Sequence, residues 1–340
     1  MSKSILPSLF QYSKMNKSYW VLLFAMLSSS FCLAQTNGNI HIAKFKDDKA
    51  CAISYTFDDG LKEHYTIVTP WLNSLGLKGS FVINGSKINT DESAIKDTTR
   101  MTWKNLKEMA DAGHEISNHG WAHKNFGKFP LDEIKEDILK NDSAIFANIG
   151  SMPRTFFYPN NTKTPEGIIL ASQNRVGTRL FQRSLGGKST PEDLDSWVNK
   201  LLNNHDWGIT MTHGITYGYD HFNSPNILLE HLKKVKAMED KIWVGTFREV
   251  ASYTKERDTT TLSIEQKGNG HYRITINCPL DKTLFTEPLT AILEEKGIKK
   301  AEIYQGKKRL VATILPDKVL FSFDPFGGAI EIDTNSKKKK

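Results

Sequence analysis

Residues 50–246 alternate short apolar runs with longer stretches of helical periodicity. The apolar runs predict seven buried strands, at residues 50–57, 79–83, 114–117, 155–158, 175–179, 208–212 and 242–246. Between them, a stretch that starts near Leu131 spaces its isoleucines like one helix face and ends at Gly150. Strands that alternate with helices predict a parallel α/β architecture. Seven units favour an incomplete or distorted barrel, and a doubly wound open sheet is the alternative.

The pattern changes after Tyr253. Residues 255–261 are polar and predict a hinge, and apolar residues then recur with a period of two, as at residues 272–276. We therefore expect a first domain at residues 40–254, a small β-sandwich-like domain at residues 258–333 and a disordered lysine tail at residues 334–340.

The first 34 residues have the pattern of a signal peptide. Nine apolar residues, 19–27, follow Lys14 and Lys17, and a small residue stands at Ala34. Nine residues are too few to cross roughly 30 Å of hydrocarbon, so we expect no permanent membrane anchor. The prediction is cleavage after Ala34 and a secreted or periplasmic protein.

The formal net charge of +7 comes from the two ends of the chain. Three lysines without any acid lie in residues 1–34, and four lysines form residues 337–340, which leaves residues 35–336 neutral. A neutral body lacks the clustered basic surface that nucleic-acid binding needs, so we expect no nucleic-acid partner. An apolar content of 39% is that of an ordinary globular protein.

Three groups of polar side chains each follow a predicted strand. Asp58 and Asp59 follow the first strand, His119 and His123 follow the third, and His213 follows the sixth. Because the carboxyl ends of parallel strands converge on one face of a barrel, these side chains are expected to meet. One carboxylate and two imidazoles suit a divalent metal, and a second carboxylate and a third imidazole remain for proton transfer. This set predicts metal-assisted hydrolysis.

These motifs occur in a family order. TFDDG at residues 56–60, HGWAH at 119–123, a Phe-Tyr-Pro run at 157–159 and MTHG at 211–214 resemble the motifs of the polysaccharide deacetylase family, carbohydrate esterase family 4, also called the NodB homology domain. The resemblance covers about residues 45–254 and implies a distorted (β/α)7 barrel. It further implies that Asp59, His119 and His123 are the metal ligands. By the same resemblance, Asp58 is the general base, His213 is the general acid and the backbone N–H of Asn160 stabilises the oxyanion.

Two positions depart from the family pattern. Gly120 stands where the family usually has Ser or Thr, which removes a supporting hydrogen bond. Phe157 stands where the family usually has an arginine that orients the base. Arg179 or Arg183, after the next strand, is either a substitute for that arginine or a plain surface residue.

Five further side chains near the motifs are candidates for supporting roles, and three of them allow two interpretations. Asp193 and Asp195 lie where the family has the aspartate that supports the acid histidine, but they also suit the first turn of a helix. Trp121 suits either sugar stacking or core packing. Tyr217 and Tyr219, in a Gly/Asp-rich loop, are expected to form a wall of the substrate site.

The expected function is a secreted, metal-dependent hydrolase that removes acetyl groups from an acetylated polysaccharide or oligosaccharide. N-acetyl groups of GlcNAc-containing glycans are the first choice, and Zn²⁺ is the expected metal, with Co²⁺ or Ni²⁺ as alternatives. Two other functions stay open: an O-acetyl esterase acting on xylan-type polysaccharide, and a catalytically silent glycan-binding protein.

Overall fold

A computed structural model describes residues 40–334, so the predicted signal peptide and nearly all of the lysine tail lie outside the described residues. The strands of the first part are β1 (Ile40–Ile42), β2 (Cys51–Ser54), β3 (Thr56–Asp58), β4 (Ser80–Ile83), β5 (Glu115–Asn118), β6 (Thr155–Phe157), β7 (Gly177–Arg179), β8 (Arg183–Leu185), β9 (Trp207–Thr212) and β10 (Ile242–Val244). All but β1 form one parallel sheet in the order β10-β2-β9-β3-β4-β5-β6-β7, with β8 paired to β9.

Helices separate most of these strands. They are α1 (Thr69–Ser74), α2 (Trp103–Asp111), α3 (Leu131–Ile149), α4 (Pro165–Ser172), α5 (Pro191–Asn204), α6 (Pro225–Lys236) and α7 (Phe247–Thr259). Shorter elements are a π-helix at His64–Val68 and 3-10 turns at Lys46–Asp48, Gly85–Lys87 and Pro159–Asn161. The predicted distorted α/β barrel is therefore confirmed, and Gly150 ends α3 in the left-handed conformation that glycine favours.

The strand prediction differs from the structure at two places. The first predicted strand is divided at Tyr55: β2 pairs with β9 and β10, whereas β3 pairs with β9 and β4. Tyr55 itself is fully buried, with its hydroxyl 2.8 Å from Nε2 of His231. The second difference is β8, which the sequence did not predict, because its residues Arg183–Leu185 are too polar and too few to give a strand pattern.

The C-terminal part is β-rich, as predicted. Its strands are β11 (Thr261–Gly268), β12 (His271–Asn277), β13 (Leu289–Glu294), β14 (Glu302–Gln305), β15 (Lys308–Leu310), β16 (Ala312–Ile314), β17 (Lys318–Phe323) and β18 (Ile330–Asp333). They form two antiparallel sheets, β1-β13-β17-β16 and β11-β12-β18-β14-β15, which share one apolar core. β1 thus pairs antiparallel with β13, about 250 residues later in the chain.

The predicted hinge at residues 255–261 is wrong. Residues up to Thr259 continue α7, and Thr261 already begins β11, so helix and strand meet with one residue between them. The polar residues there have a structural reason, since Glu256 is fully buried and accepts a hydrogen bond from the Ser252 hydroxyl one helical turn earlier. Among residues 40–334, no helix is both long and apolar enough to span a membrane.

Candidate metal centre and active-site cleft

The motif residues meet at the carboxyl ends of the parallel strands. β3 ends at Asp58, β5 ends one residue before His119, and β9 ends one residue before His213. Asp59 and His123 adopt left-handed backbone conformations, with φ of 75° and 58°, which turn the chain sharply behind each motif. These side chains line a cleft of about 430 Å³, together with residues from strands β7 and β9 and from neighbouring turns and loops: Tyr158, Asn160, Asn161, Arg179, Met211 and Tyr219.

Asp59, His119 and His123 form a cluster whose ligand atoms lie within 4.8 Å of one another. Oδ1 of Asp59 is 3.7 Å from Nε2 of His119 and 3.8 Å from Nε2 of His123. Two atoms can each lie about 2.1 Å from one metal ion when they are no more than about 4.2 Å apart, and both pairs meet that limit. The same Oδ1 is buried without a hydrogen-bond partner in the described residues, as a metal ligand would be. The three side chains therefore fit a divalent cation.

The tautomer of His119 also suits a metal ligand. Its Nδ1 lies 2.8 Å from the carbonyl oxygen of Phe157, and because a carbonyl only accepts, Nδ1 carries the proton. Burial lowers the pKa of His119, although the nearby carboxylates oppose this shift. The neutral ring therefore presents the lone pair of Nε2 toward Asp59, and the carbonyl fixes its orientation.

Asp58 lies beside the cluster but is held by a different partner. Its carboxylate is 1% exposed and forms a two-point ion pair with Arg179, in which Nη1 donates to Oδ1 at 2.9 Å and Nη2 donates to Oδ2. Burial alone would raise the pKa of Asp58, but the charge and hydrogen bonds of Arg179 outweigh burial and hold it below its usual value. Asp58 is thus a charged carboxylate at neutral pH.

His213 stands on the other side of Asp59. Its Nε2 is 3.9 Å from Oδ2 of Asp59, and its ring meets the ring of Tyr219 edge-on at 5.2 Å. Its side chain keeps 14% exposure, so it can reach a molecule in the cleft. A charged carboxylate and an imidazole therefore flank the predicted metal position, as proton transfer in hydrolysis requires.

Comparison with known proteins agrees with this geometry. Residues 46–179 match the family model described as polysaccharide deacetylase. The matched stretch is therefore similar to the polysaccharide deacetylase family. One relative is the peptidoglycan-N-acetylglucosamine deacetylase PgdA of Listeria monocytogenes, 29% identical over 158 residues, 46% of this chain and 28% of that protein. Another is a gellan lyase of a Bacillus species, 24% identical over 350 residues, 86% of this chain and 13% of that protein.

The chain spans less than a third of the length of either of those relatives. Among solved structures, a putative polysaccharide deacetylase of Mycobacterium smegmatis is 15% identical and superposes with a TM-score of 0.51. That similarity covers 67% of this chain and 98% of the other one. At such low identity it shows a shared fold.

Arg179 makes the contact expected of the arginine that Phe157 replaces. Phe157 and Arg179 are paired neighbours on adjacent strands β6 and β7, and the guanidinium lies 4.7 Å from the centre of the Phe157 ring. One strand farther along the sheet, the arginine thus reaches the same carboxylate. The other arginine considered, Arg183, instead pairs with Asp193 near the surface.

At Gly120, where the family usually has Ser or Thr, the carboxylate of Asp137 takes the place of the missing side chain. Gly120 has φ of 73°, and a Cβ atom there would lie 2.3 Å from Oδ2 of Asp137, so the Asp137 carboxylate occupies the space of a side chain. Oδ1 of Asp137 accepts a hydrogen bond from the N–H of Ala122 at 2.8 Å, within the turn that carries both ligand histidines. Asp137 was not predicted as a site residue, because only the phase of helix α3 places it against this turn.

Four of the residues considered from the sequence lie away from the cleft. Trp121 packs against Gly85 and under the ammonium group of Lys140, as the packing interpretation expects, and it does not line the cleft. The Tyr217 hydroxyl turns to the carbonyl of Thr99, and only Tyr219 of the two tyrosines lines the cleft. Asp193 pairs with Arg183 and Asp195 with Lys234, so neither supports His213.

Proposed function

We propose that this protein is a metal-dependent hydrolase that removes acetyl groups from a carbohydrate. The observation that carries the proposal is the unpartnered Oδ1 of Asp59 between two histidine nitrogens, next to a carboxylate that Arg179 keeps charged. A site that only stored a metal would not need the buried Asp58–Arg179 pair, whose desolvation is costly.

Each side chain of the cleft has a part in the proposed reaction. A divalent cation held by Asp59, His119 and His123 would supply Lewis-acid polarisation of the acetyl carbonyl and the attacking water. Asp58 accepts a proton from that water while the new C–O bond forms, and the N–H of Asn160 faces the oxyanion. His213 then donates a proton to the departing nitrogen as the C–N bond breaks, which gives acetate and a free amine.

We propose N-acetyl groups of GlcNAc-containing glycans as substrates, with Zn²⁺ as the metal and export from the cytoplasm. The name of the PgdA relative supports this substrate class, as does that of a chitin deacetylase of a Pestalotiopsis species, 22% identical over 194 residues. Tyr219, 75% exposed at the edge of the cleft, offers an aromatic face to a sugar ring. The export proposal rests on the sequence of residues 1–34.

The test is acetate release by the purified chain 35–340. It is assayed on chitooligosaccharides, peptidoglycan fragments and acetylxylan, after chelation and again after addition of Zn²⁺, Co²⁺ or Ni²⁺. We expect metal-dependent release from at least one GlcNAc-containing substrate. Release from acetylxylan alone would assign O-acetyl esterase activity instead. A protein that binds metal and glycan without releasing acetate from any substrate would be the silent binding protein.

A further inference from the structure

Two buried residues hold the main chain around His213. Glu63 is 2% exposed, and its carboxylate accepts hydrogen bonds from the N–H of Ile215, from the N–H of Thr216 at 2.9 Å and from the Thr216 hydroxyl at 2.9 Å. His64 is fully buried, and its Nε2 lies 2.7 Å from the carbonyl oxygen of His213. The backbone is therefore fixed at His213 itself and again two and three residues later.

The chemistry of His64 makes this contact directional. Burial lowers the pKa of His64 to about 4, so the ring is neutral near pH 7. Because a carbonyl oxygen only accepts, Nε2 carries the proton and donates it to His213. The ring packs against Phe57 and Phe81, at centroid distances of 5.5 and 6.2 Å, while Nδ1 is buried without a hydrogen-bond partner among residues 40–334. A buried polar atom without a hydrogen bond is costly, and an apolar residue at position 64 would not have one. What a histidine adds at this position is therefore the hydrogen bond that Nε2 donates.

His213 has little other support. Asp193 and Asp195 face Arg183 and Lys234, and within residues 40–334 the carboxylate within ion-pair distance of the His213 ring is Asp59, at 3.9 Å. The turn after it is also tight, since a Cβ atom on Gly214 would lie 2.0 Å from the carbonyl oxygen of Tyr217. The orientation of the His213 ring therefore depends on its own backbone.

From these contacts we propose that Glu63 and His64 are positioning residues for the general acid. They hold the main chain around His213, a role that no aspartate side chain in the described part of the chain takes beyond Asp59. The inference rests on the proposed function, because it assigns His213 the delivery of a proton to the leaving group. Neither residue touches the cleft, and both act through the backbone of residues 213–216. A displacement of the His213 imidazole by about 1 Å is enough to slow proton transfer about a hundredfold.

The test separates proton delivery from general damage by changing the leaving group. An N-acetyl sugar needs a proton on its departing nitrogen, whereas 4-nitrophenyl acetate releases a stable phenolate without one. Glu63→Gln and His64→Leu should lower kcat on the N-acetyl substrate about 10- to 100-fold, but on the aryl ester less than about 3-fold. His213→Ala should show the same preference for damage to the N-acetyl substrate. His64→Gln should restore most of the activity, because its amide can donate from nearly the position of Nε2.

Matched controls come from buried groups of the same types. His231 is also buried, with its pKa lowered to about 4, but it binds the Tyr55 hydroxyl. Glu115 is buried and accepts hydrogen bonds from Ser80, Ser117 and Thr155 at the opposite end of β5. We expect His231→Leu and Glu115→Gln to change both substrates by the same factor. Equal losses on both substrates in the Glu63 and His64 variants would overturn the proposal.

Crystal structures of the variants give a second measurement that does not depend on activity. In Glu63→Gln and His64→Leu, the His213 ring should move away from Asp59, while the distances from Asp59 to His119 and His123 stay unchanged. An unmoved His213 would overturn the proposal. A wild-type enzyme that hydrolyses neither substrate would instead refute the proposed function, and the crystal structures would still decide whether Glu63 and His64 position His213.

Discussion

Two buried carboxylates in this chain have opposite electrostatic settings. Asp58, on the floor of the cleft, meets the guanidinium of Arg179 with both oxygens. Glu256, where α7 packs near the C-terminal sheets, has only neutral donors: the Ser252 hydroxyl at 2.8 Å and the N–H of Glu287 at 3.2 Å, both on Oε2. Its Oε1 has no hydrogen-bond partner in the described part of the chain.

The difference appears in the pKa values. The pKa of Asp58 lies below its usual value despite burial, whereas burial raises the pKa of Glu256 to about 7. Burial thus sets the cost of a charge, and the partner decides whether the charge persists. Asp58 stays charged because Arg179 is buried beside it. Glu256 has neutral hydrogen-bond donors and no such cation among the described residues, so it binds a proton more readily.

The largest effect is expected when Asp58 is made to resemble Glu256. Arg179→Met leaves the Asp58 carboxylate buried without a cation, so its pKa should rise and its charge should be lost near neutral pH. We expect acetate release to fall at least about 100-fold and unfolding free energy to fall by about 3–5 kcal/mol, measured by urea titration. Arg183→Met, at the surface pair with Asp193, is the control and should change neither quantity much. Full activity of Arg179→Met would refute the role of the ion pair.

Asp137 is an intermediate case, since its partners are backbone N–H groups and burial still raises its pKa. Gly120→Ala would push a methyl group into this carboxylate and displace the turn that carries His119 and His123. We expect Zn²⁺ affinity to fall about 10- to 100-fold, measured by competition with a chromophoric chelator. Gly150→Ala is the matched control, because φ there is 89° but nothing lies within 4 Å of the added atom. Equal Zn²⁺ affinities of the two variants would show that Asp137 does not position the ligands.

Removing the charge at Glu256 should have a smaller, pH-dependent effect. Because the folded pKa is about 7 and the ordinary value is 4.5, the folded state binds the proton more tightly, and stability is lost as pH rises from about 4.5 through 7. Glu256→Gln lacks this loss and should gain up to about 3 kcal/mol over the wild type between pH 5 and pH 8. Urea unfolding at both pH values measures it, and parallel pH profiles of the two proteins would contradict the shift.

The smallest effect is expected at the exposed pair of Asp195 and Lys234. Solvent screens this pair, so Asp195→Asn should change the unfolding free energy by less than about 0.5 kcal/mol and leave kcat unchanged. A large loss of kcat would show instead that Asp195 supports His213 in solution.

The sequence predicted the parts of the site that depend on strand ends. TFDDG, HGWAH and MTHG follow apolar runs, and parallel strands bring such ends together whatever the details of packing. Arg179 was one of two candidates, because the choice depended on the register of β7 against β6, where it pairs with Phe157. Asp137, Glu63 and His64 contact backbone atoms of distant turns, and no local pattern marks such contacts.

The fold shows the same limit. The barrel strands were found within a few residues of their bounds, but the division at Tyr55 reflects a change of neighbouring strand that hydrophobicity does not encode. The pairing of Ile40–Ile42 with Leu289–Glu294 joins the start of the described chain to the C-terminal sheets, and a three-residue strand gives no sign of it in the sequence. Polar residues at 255–261 suggested a hinge, although Glu256 is fully buried.

The most direct test of the central claim is acetate release and metal content of Asp58→Asn, measured on the same sample. The substitution keeps the size of the side chain and its contact with Arg179 but removes the proton acceptor. We predict that bound Zn²⁺ stays at the wild-type level, because the substitution leaves Asp59, His119 and His123 unchanged. Acetate release from the N-acetylated substrate should be abolished. Acetate release at the wild-type rate, or loss of metal together with activity, would contradict the division of roles between Asp58 and Asp59.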